Sequence, residues 1–179
     1  MAGSTIVQRK VCMLGHFAVG KTSLVRRFVE GRFDDKYLTT IGVKISRKPV
    51  TVAGTPVHLI LWDLAGSEEY NGVQTSYLQG ASGGLVVCDL TRPETLEGWS
   101  HYVRRLREVN PAARVVLVAN KADLQDQRAI SDDELRQAAA MLDDGTGSTA
   151  QYWLTSAKTG EYVEEAFHRL AALLLGPPV

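Results

Sequence analysis

Of the 179 residues only two are cysteine, Cys12 and Cys88, and both sit inside short apolar runs, "KVCMLG" and "LVVCDL". Two cysteines make no disulfide framework, and their spacing suits no zinc site. They read as buried core thiols in a reducing setting. No apolar run approaches the ~20 residues of a membrane-spanning helix. Charge of one sign is missing as well: Lys plus Arg and Asp plus Glu are 20 each, giving a formal net charge of zero. That gives no support to a nucleic-acid binder working through a basic surface. The opening "MAGSTIVQRK" has no signal-peptide pattern and no glycine after the methionine for myristoylation. "LLLGPPV" at the other end carries no cysteine for prenylation, so no membrane anchor is expected. Repeats, low-complexity tracts and linkers are absent too. A cytoplasmic, monomeric protein is the expectation.

A hydrophobic fraction of 45% and a charged fraction of 22% suit one globular domain over residues 1–179. Strand-like runs alternate with helix-period segments. "RKVCMLG" reads as a strand and "KTSLVRRFVE" as a helix. "GVKISRKPVTV" and "VHLILWD", joined across "AGTP", are close enough for an antiparallel hairpin. "GGLVVCD", "RVVLVAN" and "QYWLTS" follow as strands. Thr91 with Glu94, and Ser131 with Glu134, match the helix capping box. After Gly160, Val163, Ala166, Phe167, Leu170, Ala171 and Leu174 form one stripe. "DDGTGST", residues 143–149, reads as a polar surface loop. The alternation predicts a mostly parallel α/β sheet covered on both faces. Ligands in such folds bind outside the carboxyl ends of the strands.

Four motifs follow the ends of those strands. "GHFAVGKT", Gly15 to Thr22, has the spacing of a phosphate-binding loop and lies between a strand and a helix. Backbone N–H groups and the helix N-terminus supply partial positive charge to phosphates. Lys21 adds a full charge, and the Thr22 hydroxyl can ligate magnesium. Taken alone, the loop could be a glycine-rich strand-to-helix turn. "LILWDLAG" places Asp63 at a strand end, where it can hold a magnesium-bound water, and Gly66 where its N–H can meet a γ-phosphate. "ANKAD" and "TSAK" point to the base. Asp123 can accept from the N1–H and exocyclic amine of guanine, a donor pair that adenine lacks on that edge. The stems of Lys121 and Lys158 can cover the two faces of the purine.

On these motifs, together with "TTIGV", "ILWDLAGSEEY" and "YLQGASGGLVVCDLTRPETLEGW", the chain resembles a small GTPase of the Ras superfamily, most similar to the Rab branch, from Arg9 to about Leu175. The resemblance implies a P-loop NTPase fold: a six-stranded, mostly parallel sheet with five flanking helices. It implies GTP or GDP with Mg2+ as ligands, and hydrolysis of GTP to GDP and phosphate. Gly15, Phe17, Ala18, Val19, Gly20, Lys21, Thr22 and Ser23 would hold phosphates; Thr22, Thr40 and Asp63 the metal. Phe33 and Tyr37 match aromatic positions beside the guanine and over the nucleotide. Asn120, Lys121, Asp123, Ser156, Ala157 and Lys158 match the base set. Lys21, Thr40, Gly66 and Ser67 fall at catalytic positions. Effector, exchange factor and GTPase-activating protein would dock on switch regions near residues 34–45 and 64–80.

The resemblance breaks at the chemistry. The family usually has glutamine after the switch II glycine to orient the attacking water, and here that residue is Ser67. The family commonly has a small residue where this loop has Phe17. Both departures threaten hydrolysis rather than binding, which implies slow turnover; the other reading is a ring packed on switch residues with Glu68, Glu69 or a partner assisting. Rab-like proteins usually end in a long cysteine-bearing tail, whereas this chain stops near its last helix, leaving open a trimmed chain or a soluble relative. His16, His58, His101 and His168 have no ligand-like spacing. Arg104, Arg105 and Arg107 read as a solvated helix face.

Overall fold

Six strands build one sheet in the order β2-β3-β1-β4-β5-β6. They are β1 (Val7–Gly15), β2 (Val43–Val52), β3 (Thr55–Leu64), β4 (Gly83–Asp89), β5 (Arg114–Asn120) and β6 (Tyr152–Leu154). The structure is a computed structural model and describes residues 5–35, 42–64, 75–143, 145 and 151–176. Only the β2–β3 pair is antiparallel; β1 pairs in parallel with β3 and β4, as β5 does with β4 and β6. The described helices are α1 (Lys21–Glu30), α2 (Thr75–Leu78), α3 (Glu97–Val109), α4 (Asp132–Met141) and α5 (Val163–Leu175). This is the six-stranded, five-helix α/β fold expected from the sequence.

The expected hairpin turns on Ala53 and Gly54, whose φ values of 47° and 82° give the two positive-φ residues that a tight hairpin turn needs. Its register follows from that turn: Val52 faces Thr55 and Val43 faces Leu64. β4 is buried along its whole length, as its unbroken apolar run requires. Apolar clusters fill both faces of the sheet. One joins α1 and α5 to the sheet, with Phe28 stacked on Phe167 at 4.1 Å between ring centroids. The other gathers Trp99, Val103 and Leu106 of α3 with Leu135 and Ala139 of α4. Within α5, Val163, Ala166, Phe167, Leu170 and Ala171 of the stripe read from the sequence are buried, and Leu174 is partly buried against the same cluster. Cys12 and Cys88 are buried free thiols, and burial pushes Cys12 up to about 11.

One of the two expected capping boxes forms. The Ser131 hydroxyl accepts from the Glu134 N–H at 3.2 Å, while the Glu134 carboxylate accepts from the Ser131 N–H at 2.7 Å. The other does not. The turn that begins at Pro93 has Arg92 at its cap and no side-chain cap bond. The Thr91 hydroxyl donates instead to Asp89 Oδ1 at 2.7 Å. The helical turn starts one residue late for the expected box, so Thr91 lies outside the cap position. The strand expected over "QYWLTS" shortens to Tyr152–Leu154, because Thr155 and Ser156 turn their side chains to Asn120 and Asp123. The loop expected at 143–149 lies mostly outside the described residues.

Because the sheet is parallel apart from β2, the carboxyl ends of β1, β3, β4, β5 and β6 share one edge. Gly15, Asp63, Asp89 and Asn120 lie at or next to those ends.

Candidate functional site

Between β1 and α1 the chain wraps a loop whose backbone visits positive φ three times, at Gly15 (150°), Ala18 (64°) and Gly20 (104°). Gly20 caps α1 without a side-chain bond, and the first turn of the helix carries no acidic residue. The helix therefore presents amide donors with no internal anion, the electrostatic requirement of a phosphate site. Lys21 Nζ donates to the carbonyls of Gly15 and His16, both at 3.0 Å. Burial pushes its ammonium down to about 8; the Asp63 charge acts against that shift and Arg92 adds to it. A buried cation held toward its neutral form gains much from a polyanion nearby.

Asp63 sits one residue from the end of β3, opposite Met13 on β1 and Lys44 on β2. Its Oδ2 accepts from the Thr22 hydroxyl at 2.6 Å. Its Oδ1 is buried with no hydrogen-bond partner among the described residues. Burial raises the carboxyl above its usual range, although Thr22, Lys21 and Lys44 all act in the opposite direction. An orphaned carboxylate oxygen beside a hydroxyl, at the foot of a phosphate loop, fits a divalent cation with oxygen ligands.

At the other end, Asn120 closes β5 and holds two loops. Its Nδ2 donates to the Val19 carbonyl at 3.0 Å. Its Oδ1 accepts from the Thr155 hydroxyl at 3.0 Å and from the Ala157 N–H at 3.3 Å. Asp123 Oδ1 accepts from the Ser156 hydroxyl at 2.8 Å, which orients the carboxylate. Lys121 adopts φ 71°, unusual for a residue with a side chain, and its ammonium pairs with Asp89 at 2.8 Å. One cavity of about 320 Å³ spans both ends. Its walls include Gly20, Lys21, Thr22 and Ser23 of the phosphate loop and α1, Lys121, Asp123, Ala157 and Lys158 of the loops after β5 and β6, and Phe33. Gly15, Val19, Asp63 and Ser156 do not line it. Val19 belongs to the core, and Ser156 is fully buried.

Phe17 is 41% exposed and lines the cavity. Most of the switch residues against which its ring could pack lie outside the described residues. The neighbouring His16 is what packs: its ring meets Tyr102 of α3 edge-on at 5.9 Å. A Cβ on Gly98 would stand 2.6 Å from His16 Nδ1. Gly98→Ala should therefore push the loop and cost ~1–3 kcal/mol of stability, the usual range for overpacking. In a His16→Ala background the same change should cost less than ~0.5 kcal/mol, because the obstacle is gone. Chemical denaturation of the four proteins measures this, and equal costs in both backgrounds would contradict the contact.

Thr40, Tyr37, Gly66 and Ser67 lie outside the described residues, as do Glu68 and Glu69. Asp89, Arg92 and Thr155 were not assigned to the site from the sequence, yet all three brace its loops. Asp89 had a legible signal, a carboxylate ending an otherwise unbroken apolar strand. His58, His101 and His168 contribute nothing here, and no cluster of three or more metal-binding side chains occurs among the described residues. Arg107 is no simple solvated residue, since its guanidinium donates to the Leu142 carbonyl at 3.4 Å. No helix among the described residues is long and apolar enough to cross a membrane.

Phosphate-loop residues, Asn120 and Asp123 thus line one cavity at one edge of the sheet, and buried Asp63 joins it through the Thr22 hydroxyl. The family model described as the Ras family matches residues 10–175. Members of that family generally bind GTP or GDP with Mg2+ and act as GTPase switches. With that match covering nearly its whole length, the chain belongs to the Ras family of small GTPases.

Proposed function

We propose that residues 1–179 form a single G domain of Rab-like type, a guanine-nucleotide switch that hydrolyses GTP slowly. The observation that carries this reading is the shared cavity, with Lys21 and Thr22 at one end and Asp123 and Lys158 at the other. A nucleoside polyphosphate matches that polarity. In this reading Asp123 accepts from the guanine edge, Lys121 and Lys158 flank the ring, and loop amides with Lys21 hold the phosphates. Thr22 and Thr40 would ligate magnesium directly and Asp63 through water. The metal, when bound, offsets charge on the β- and γ-phosphates. The protein acts in the cytoplasm as a monomer. It meets effector, exchange factor and activating protein through residues 34–45 and 64–80.

Slow turnover rests on Phe17 and Ser67. The exposed ring stands at the cavity wall, and a serine hydroxyl is too short to orient water in place of a glutamine amide. Phe17→Gly should open space without supplying an orienting group. Ser67→Gln should supply the group but leave the ring beside it. The double variant should hydrolyse GTP faster than the product of the single gains, and a coupling of ~1.4 kcal/mol would appear as about a tenfold excess. Single-turnover hydrolysis on the four GTP-loaded proteins measures it. A wild type as fast as the double variant would end the obstruction account. The same exposed ring favours a second reading, a module that stays GTP-bound and hydrolyses nothing measurable. A wild type with no product after prolonged incubation would select it.

A further inference from the structure

Four donors converge on the carboxylate of Asp89 at the end of β4, whose side chain is 1% exposed. Its Oδ1 accepts from the Thr91 N–H at 2.8 Å and the Thr91 hydroxyl at 2.7 Å. Its Oδ2 meets Lys121 Nζ at 2.8 Å and Arg92 Nε at 3.1 Å. Burial by itself would raise this carboxyl, but the Lys121 and Thr91 bonds outweigh it and hold the group below the usual range. Asp89 is therefore a fixed anionic node.

Two cations carry that node outward. Lys121 takes it into the loop after β5, where Asp123 lies. Arg92 takes it to the phosphate loop, because its Nη2 donates to the Phe17 carbonyl at 2.6 Å. A guanidinium is planar and rigid, so bonding through Nε and Nη2 together fixes the separation of Asp89 from Phe17. The geometry of the trans peptide then has a consequence. Its C=O and N–H point in opposite directions, so holding the Phe17 carbonyl toward Arg92 turns the Ala18 N–H the other way. Ala18 lines the cavity and sits at φ 64°, a conformation that a residue with a side chain rarely adopts without outside restraint.

We propose that Arg92 is a positioning residue that sets how long nucleotide stays bound. It holds the Phe17–Ala18 peptide against the Asp89–Lys121 node, aims the Ala18 N–H at the phosphate chain, and so couples the phosphate end of the site to the base end. This rests on the guanine-nucleotide reading above. Arg92 does not line the cavity and acts on the phosphates through the loop; its positive charge, which is felt at Lys21, disfavours that ammonium.

The test is release of fluorescent GDP from the full chain with magnesium present, together with competition by GDP and by guanosine. Arg92→Ala should release GDP about tenfold faster. It should weaken GDP by a similar factor while leaving guanosine within twofold, since guanosine has no phosphate for the Ala18 N–H. Arg92→Lys should fall between the two, keeping a cation for Asp89 without the rigid fork. General loosening of the fold would weaken GDP and guanosine equally, and that result would overturn the proposal. GDP release within twofold of wild type would overturn it as well. Should Arg92→Ala not fold, Arg92→Lys carries the same comparison, with release severalfold faster expected and unchanged release contradicting it. A wild type that holds no GDP sinks the functional reading and this inference together. A wild type that holds GDP beside an unaltered Arg92→Ala sinks this inference alone.

Discussion

Asp123→Asn is expected to lower affinity for GDP more than a hundredfold and to create affinity for xanthosine diphosphate. The carboxylate lines the cavity and is oriented by the Ser156 hydroxyl at 2.8 Å. Two hydrogen bonds from guanine to a charged acceptor are worth ~1.5–3 kcal/mol each. Asparagine replaces one acceptor with a donor that faces a donor of guanine, so at least ~3 kcal/mol is lost, above a hundredfold in affinity. Xanthine carries a carbonyl where guanine carries its amine, and the amide donor fits it. The fold should be untouched, because the asparagine carbonyl can still accept from Ser156. Competition against fluorescent GDP measures both halves. Unchanged GDP affinity with no gain for the xanthine nucleotide would show that Asp123 does not read the base.

Gly20→Ala should be severely damaging to the phosphate loop. Two effects act together and can be separated. The backbone φ of 104° is open to glycine and costs an alanine ~1–2 kcal/mol or more. The new Cβ would also stand 2.3 Å from Asn120 Nδ2. Asn120 cannot yield freely, since its amide group bonds Val19, Thr155 and Ala157 at once. The contact should therefore dominate, and the total should exceed ~3 kcal/mol in stability, beyond most point changes. In an Asn120→Ala background only the φ strain remains, so Gly20→Ala should cost ~1–2 kcal/mol there. Equal costs in the two backgrounds would show that the backbone, not the clash, decides.

What could be read from the sequence was local. A glycine-rich loop between a strand and a helix, an aspartate closing an apolar strand, and "NKAD" after another each carry chemistry within a few residues. Strand pairing followed from the short link between β2 and β3 and from the buried character of β4 and β5. Contacts between distant loops were not legible. Thr155 is 35 residues from Asn120, and only folding brings its hydroxyl to that amide. The Arg92 bond to Phe17 spans 75 residues, and no periodicity announces such a pair. The exclusion of a side chain at Gly98 depends on the His16 ring of the phosphate loop, 82 residues away in sequence. Local pattern thus revealed the ligand class, while the bracing of the loops needed three dimensions.

That bracing also bears on the atypical phenylalanine. Phe17 offers its carbonyl to Arg92 and its ring to the cavity. Backbone and side chain have separate tasks there, so a bulky residue can stand in the loop without disturbing how the loop is held. In the proposed reading the consequence falls on hydrolysis, where the space beside the phosphates matters.

The most direct measurement is the nucleotide carried by the purified protein, released by denaturation, separated by chromatography and quantified against protein. The account predicts guanine nucleotide in amounts approaching equimolar, with a GTP share that persists through purification because turnover is slow. Adenine nucleotide in its place, or no nucleotide in protein that also fails to take up GDP with magnesium, would contradict it.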